Sequence, residues 1–132
     1  MIKSIHEIND VVVKIKQKLP DGGIVLLKGT LASGKTTLVK AFVEYIGIKE
    51  EATSPTFSIM NVYDDRIFHY DIYNEGTSKF IQSGLLENLQ SPGYHFVEWA
   101  DDKFAEILEA YGFDFLTVEI ISAGEKREYK IG

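Results

Sequence analysis

The chain contains no cysteine, and that absence removes disulfides, iron–sulfur clusters, thiolate zinc sites and cysteine nucleophiles together. Histidine is nearly as scarce. His6, His69 and His95 stand singly, so a structural zinc site is not expected, and any metal should be a hard, oxygen-bound cation. No apolar run approaches the length of a membrane span. The first ten residues carry Glu7 and Asp10 and lack the apolar stretch of a secretory leader. A cytoplasmic protein with no membrane partner is therefore expected. Positive charge is in deficit, with a net charge of −6, which argues against a broad nucleic-acid face, because gripping a phosphate backbone needs clustered lysine and arginine. The small basic cluster Lys126, Arg127 and Lys130 reads as a solvated edge strand, with contact to RNA or a partner as the alternative. At 132 residues, 45% hydrophobic and 26% charged, the chain suits one globular domain over residues 1–132 that buries about two-thirds of its unfolded surface.

Against these absences stands one specific motif. Gly29-Thr30-Leu31-Ala32-Ser33-Gly34-Lys35-Thr36 follows the apolar run Ile24-Val25-Leu26-Leu27 and opens a helical pattern, so it reads as a phosphate-binding P-loop between a strand and a helix. Gly29 and Gly34 allow the backbone dihedrals that turn successive N–H groups inward as an anion nest. The helix beginning near Lys35 adds the positive end of its dipole. Lys35 then reaches the β- and γ-phosphates as a point charge, while the Thr36 hydroxyl is a hard oxygen suited to Mg²⁺. Thr37 reads either as a contact to the α- or β-phosphate or as an ordinary first-turn threonine.

The remaining pattern alternates strands and helices. Ser4 to Glu7 has the form of a capping box, and Ile5, Ile8, Val12, Ile15 and Leu19 recur on one helical face that ends at Pro20. Leu38, Val39, Phe42, Val43 and Ile46 mark the helix after the loop, ending near Gly47. Phe57 to Tyr63 and Arg66 to Ile72 read as a hairpin turning at Asp64-Asp65. The polar stretch from Asn74 to Pro92 carries short helical patches around Phe80 and over Leu85 to Leu89. His95 to Trp99 reads as a short strand ending in an acid, Phe104 to Tyr111 as a helix stopped by Gly112, and Phe115 to Ile121 with Lys126 to Ile131 as a closing hairpin. The expectation is an α/β, three-layer P-loop nucleotide-hydrolase fold with a mixed parallel and antiparallel sheet, its phosphate site at the carboxyl end of the first buried strand.

Such a site needs a carboxylate opposite the loop to hold Mg²⁺ through its water shell or to orient an attacking water. Glu98 ends an apolar strand, where an acid would project beside Thr36; the plain reading is an exposed strand-end glutamate. The period of two puts His69 and Asp71 on one strand face, where a structural pair is the alternative to a catalytic Asp71. Thr53-Ser54-Pro55-Thr56-Phe57 sits where phosphate-sensing switches lie in many nucleotide hydrolases, so Thr56 is a candidate for the γ-phosphate or metal.

In their order and spacing, the P-loop Gly29 to Thr37 with its doubled threonine, Ser54-Pro55-Thr56-Phe57, His69-Tyr70-Asp71-Ile72-Tyr73 and Glu98-Trp99-Ala100 resemble the TsaE (YjeE) family over nearly the whole chain. Members are small bacterial P-loop ATPases needed for making the threonylcarbamoyl modification of tRNA adenosine. The resemblance implies ATP and Mg²⁺ as cofactors, TsaB and TsaD as partners, and tRNA met only through their complex. It implies Thr36 and Glu98 as metal-serving residues, Lys35 on the phosphates, and Asp71 and Thr56 at the γ-phosphate, water or a switch. Trp99 is implied at nucleotide or partner, with a core position as the alternative. Three positions depart from the family pattern: Thr30 where an acid is common, Ala32 where glycine is, and Asn74 where an arginine usually follows the His-x-Asp-x-Tyr motif. These bear on turnover and partner contact more than on nucleotide binding.

Two other classes compete. A small-molecule kinase would need an arginine-rich lid, yet Arg66 and Arg127 are the only arginines, both in hairpins. A GTPase would carry an Asn-Lys-x-Asp guanine-reading motif, which is absent. An ATP-dependent binding switch with little intrinsic hydrolysis is compatible with the family role.

Overall fold

The computed structural model describes residues 1–29, 34–49, 59–72 and 76–132. One strand organises it. β2 (Gly23–Lys28) carries Val25 and Leu27 on one face and Ile24 and Leu26 on the other, all buried, as a strand covered on both sides must. Seven strands form a single sheet, whose order requires the others to be placed first. β1 is Ile2–Lys3, β3 Met60–Tyr63, β4 Ile67–Asp71, β5 Tyr94–Glu98, β6 Phe115–Ala123 and β7 Lys126–Ile131. Their order across the sheet is β1-β7-β6-β2-β5-β4-β3, with β6, β2, β5 and β4 mutually parallel and both flanks antiparallel. The sheet is mixed as expected.

Helices α1 (Ile8–Lys18) and α2 (Lys35–Ile46) cover one face, packing Val11, Val12, Ile15, Leu38, Val39 and Phe42 against Val25 and Leu27. Helices α3 (Gly76–Gln82), α4 (Leu85–Asn88) and α5 (Asp102–Ala110) cover the other, where Phe80, Leu85, Phe104 and Leu108 meet Ile24, Leu26 and Val97. The layers are therefore three. No helix among the described residues is long and apolar enough to cross a membrane.

Several local expectations shift. Strand β5 starts at Tyr94 and stops at Glu98, so Trp99 turns away from the sheet at a positive φ of 67°. Asp64 and Asp65 both take positive φ, 52° and 51°, inside a turn that Arg66 N–H closes on the Tyr63 carbonyl at 3.0 Å, so that three residues join the paired ends Tyr63 and Ile67. β7 is not an edge strand. Met1 to Lys3 pair along it, with Tyr129 N–H donating to the Met1 carbonyl at 2.7 Å, and β1 takes the edge instead. A two-residue strand carries no alternation for a sequence pattern to display.

The amino ends of the central strands pack backbone on backbone. A Cβ added to Gly93, at φ +125°, would lie 2.4 Å from the Arg66 carbonyl oxygen, and Tyr94 N–H bonds that carbonyl at 2.9 Å. Neither a positive φ nor the contact tolerates a side chain. Gly93→Ala should lower unfolding free energy by about 2–3 kcal/mol, measured as an earlier urea midpoint with an unchanged slope.

A candidate phosphate site at the carboxyl ends of the parallel strands

The parallel strands β2, β4 and β5 end on one side of the molecule, and the expected residues Lys35, Thr36, Asp71, Glu98 and Trp99 meet there. Gly34 sits at the N-terminus of α2 with a left-handed φ of 107°, a conformation that glycine adopts without penalty. Helix geometry then fixes the next residues: the first-turn N–H groups of α2 have no partners within the helix, and Lys35 and Thr36 project from that turn. Lys35 is buried, 4% exposed. Its Nζ donates to the Gly29 carbonyl at 2.8 Å and stands 3.9 Å from the centre of the Trp99 ring, a cation–π contact. Burial pulls the Lys35 ammonium below the ordinary lysine range, while the charges of Glu98 and Asp71 oppose that shift.

Across from Lys35, Glu98 is the last residue of β5 and is 4% exposed. A carboxylate so deep requires partners, and it has them. The Thr36 hydroxyl donates to Glu98 Oε2 at 3.0 Å, and His69 Nε2 donates to the same oxygen. Burial pushes the Glu98 carboxyl up, but the His69 bond and charge, the Thr36 hydroxyl and the Lys35 charge outweigh it and hold the group below the usual glutamate range. The buried-acid reading thus replaces the exposed strand-end one. Asp71 ends β4 directly opposite Glu98 in register and is exposed. Two carboxylates of unlike burial, a lysine and a threonine hydroxyl therefore share one strand-end cluster.

A second buried network fixes the strands that carry these acids. Asn88 Nδ2 donates to the Tyr70 hydroxyl at 2.8 Å, which is 2.8 Å from His95 Nδ1, and His95 Nε2 is 2.7 Å from the Ser91 carbonyl. The carbonyl can only accept, so Nε2 carries the proton and Nδ1 accepts from Tyr70. Burial raises the Tyr70 phenol and lowers His95, which keeps both neutral and the chain of donors intact. β4 and β5 are bound side chain to side chain one residue away from His69 and three away from Glu98.

Of the remaining expected residues, Thr37 is exposed on the first turn of α2, facing β7 rather than Glu98. Trp99 lies against Lys35 and is half-buried, which joins it to the site rather than to the core alone. Its left-handed backbone is uncommon for a bulky residue and marks a position the surroundings must enforce. Thr30, Leu31, Ala32, Ser33, Thr56 and Asn74 lie outside the described residues. Two contributors were not legible as such in the sequence. His69 shared a face with Asp71 in the alternation, yet its partner is Glu98 on the neighbouring strand. Arg127 reaches back from β7 so that a Cβ on Gly34 would lie 3.5 Å from its Nε; its only sequence cue was the basic cluster.

As chemistry, the cluster offers the Lys35 cation, the start of a helix and two oxygen ligands, Thr36 Oγ1 and Glu98 Oε2, already 3.0 Å apart. That set suits Mg²⁺, which takes one or two protein oxygens and completes its octahedron with water and phosphate. Among the described residues no three histidine, aspartate or glutamate side chains group as a closed metal cage, as this mode of binding requires none.

A family profile described as "Threonylcarbamoyl adenosine biosynthesis protein TsaE" matches residues 2–129. A protein of Treponema pallidum named "tRNA threonylcarbamoyladenosine biosynthesis protein TsaE" is 37% identical over 94 residues, 69% of this chain and 70% of its own. The protein of the same name from Bacillus subtilis is 40% identical over 83 residues, 60% of this chain and 51% of its own, so that match spans about half its length. Among solved structures, the crystal structure of Bacillus subtilis YdiB superposes with a TM-score of 0.64 at 26% identity, covering 99% of this chain and 86% of that one.

Proposed function

Since the chain belongs to the TsaE family of threonylcarbamoyl adenosine biosynthesis, we propose that it is a Mg²⁺-dependent ATPase supporting threonylcarbamoyl modification of tRNA adenosine, working with a TsaB–TsaD complex through which tRNA is met. The observation that carries the reading is the Lys35, Thr36 and Glu98 cluster at the start of α2, joined by bonds of 2.8 and 3.0 Å to Gly29 and between Thr36 and Glu98. In this proposal the loop from Gly29 to Thr36 wraps the phosphates and Lys35 neutralises the β- and γ-oxygens. Thr36 and Glu98 would hold Mg²⁺, which would supply positive charge to offset that of the phosphates. Asp71, exposed beside the γ-phosphate position, orients the attacking water. His69 holds Glu98 in its rotamer, and the Tyr70–His95 network holds the two strands in step.

The kinase alternative gains no support. Arg66 precedes β4, at the end of the sheet away from Glu98, and pairs with Asp64 at 2.9 Å. A phosphate-clamping role at the carboxyl ends is out of its reach. An ATP-dependent switch with slow hydrolysis shares the same binding residues and differs only in rate.

The test is Mg²⁺-dependent release of phosphate from ATP by the purified chain, alone and with TsaB–TsaD complex and tRNA. Stimulation by the complex is the expected result. Hydrolysis indifferent to it, or phosphate delivered to a small acceptor, would return the kinase reading.

A further inference from the structure

A second concave site lies at the end of the sheet opposite the phosphate cluster. Helix α2 runs between the two: Lys35 and Thr36 stand at its start, while Tyr45 and Ile46 at its far end line a pocket of about 470 Å³. At 1.5 Å per residue, the 12 residues of α2 separate them by about 18 Å. Arg66, just before β4, and Tyr94, the first residue of β5, close the pocket, and Pro20 and Pro92 complete its walls.

The packing beneath makes these walls firm. The Tyr94 ring is 7% exposed and its hydroxyl donates to the Leu19 carbonyl at 2.6 Å, which fixes the floor. Tyr94 N–H bonds the Arg66 carbonyl, so the turn before β4 and the segment before β5 are held together. Tyr45 is the contrast, 46% exposed although large and aromatic. A ring laid against it would take apolar surface out of water.

The charges on the pocket divide into those already met and those not. Arg66 bonds Asp64 at 2.9 Å. Lys16 has only a ring for company, its Nζ 6.0 Å from the centre of Tyr94. Asp21 and Asp65 line the same pocket and are exposed, and among the described residues neither they nor Lys16 take part in a salt bridge. One cation and two carboxylates are therefore left to a ligand. A simple anion would meet Lys16 and be repelled by both aspartates, and a simple cation would leave Lys16 unanswered. A zwitterion answers both signs. A carboxylate and an ammonium on one carbon, with a flat apolar group for Tyr45 and Ile46, is the chemistry that matches, and the volume lies within the about 300–1,000 Å³ of small-molecule sites.

We infer that this pocket binds a free α-amino acid with an aromatic side chain, its ring against Tyr45 and Ile46, its carboxylate at Lys16 and its ammonium at the aspartates. The site is separate from the phosphate cluster and stands independently of the nucleotide reading.

The experiment is a titration of the full chain, isoleucine-methyl- and ¹⁵N-labelled, with L-phenylalanine, with phenylacetate, which lacks the ammonium, and with phenethylamine, which lacks the carboxylate. Phenylalanine should move the Ile46 δ1 methyl and the amides of Gly93 and Tyr94 in a saturable way, leaving the amides of Lys35 and Thr36 in place. Each analogue should bind about fivefold more weakly, the worth of one exposed charge pair. Lys16→Gln should lower phenylalanine affinity to about that for phenethylamine, and Asp65→Asn, which tolerates the positive φ at that position, should weaken it toward that for phenylacetate. No movement at Ile46 up to the solubility limit of phenylalanine, or movement at Lys35 and Thr36 instead, would overturn the inference. Equal binding of all three probes would overturn it as well, because the pocket would then be reading the ring and not the charges.

Discussion

Lys35→Ala should leave the protein folded and lower ATP hydrolysis by about a hundredfold or more, with a marked loss of nucleotide affinity. The fold survives because the lysine is not what fills the core at the start of α2. Its ammonium is spent on the Gly29 carbonyl and the Trp99 face, and deleting a buried cation also deletes the cost of burying it. Circular dichroism and the unfolding midpoint should shift little. The phosphates lose more. Without the ammonium, two or more negative charges face the carboxylates Glu98 and Asp71 without the lysine charge that stands beside both. Lys35 already bonds Gly29 and Trp99, and Thr36 bonds Glu98, so a phosphate bound by these groups exchanges bonds rather than adding them, which lowers the net gain. Lys35→Arg should not restore activity, since a planar fork cannot take the place of a compact ammonium seated on the Trp99 ring. Isothermal titration with Mg-ATP, beside phosphate release, checks both variants; hydrolysis equal to wild type in Lys35→Ala would show that the phosphates bind elsewhere.

Where sequence reasoning succeeded, the cause was local and periodic. Ile24 to Leu27 are apolar without a break and became a strand covered on both faces, and the 3–4 spacing of Leu38, Val39 and Phe42 became the buried face of α2. Gly34, Lys35 and Thr36 stood out by the fixed order of the loop motif, and they stand where that motif puts them, at the start of α2. The relations between strands were not legible in that way. That His69 bonds Glu98 depends on β4 lying beside β5 in a register that sets His69 opposite Phe96 and Asp71 opposite Glu98, and no spacing within either strand encodes it. The approach of Arg127 to Gly34 similarly depends on β1 and β6 flanking β7, the two residues standing 93 positions apart in the chain. Trp99 shows a third kind of limit. Its alternation continued the strand, but the left-handed backbone that ends β5 at Glu98 and lays the ring beneath Lys35 is a property of the assembled site.

Glu98→Gln should cut Mg²⁺-dependent turnover by about a hundredfold and move the Mg²⁺ concentration at half-maximal rate upward, while nucleotide binding through Lys35 persists. The amide preserves the length and the buried shape, and its carbonyl still accepts from Thr36 or His69, so the change isolates charge from packing. Glu98→Ala is the harsher comparison. It leaves the Thr36 hydroxyl and His69 Nε2 facing a void in a site where Glu98 itself is 4% exposed, and a stability loss of about 1–3 kcal/mol is expected from the stranded donors alone. If the two variants lose turnover alike and only Glu98→Ala loses stability, the metal role follows the charge rather than the fold. A Mg²⁺ titration of Glu98→Gln that overlays wild type would instead assign the metal to Asp71, the carboxylate directly opposite in register and already open to solvent. The arrangement favours the first outcome on physical grounds. Glu98 is bonded to Thr36, and its carboxyl is held ionised against burial by His69, Thr36 and Lys35 together, which is the state a hard cation needs at a fixed position.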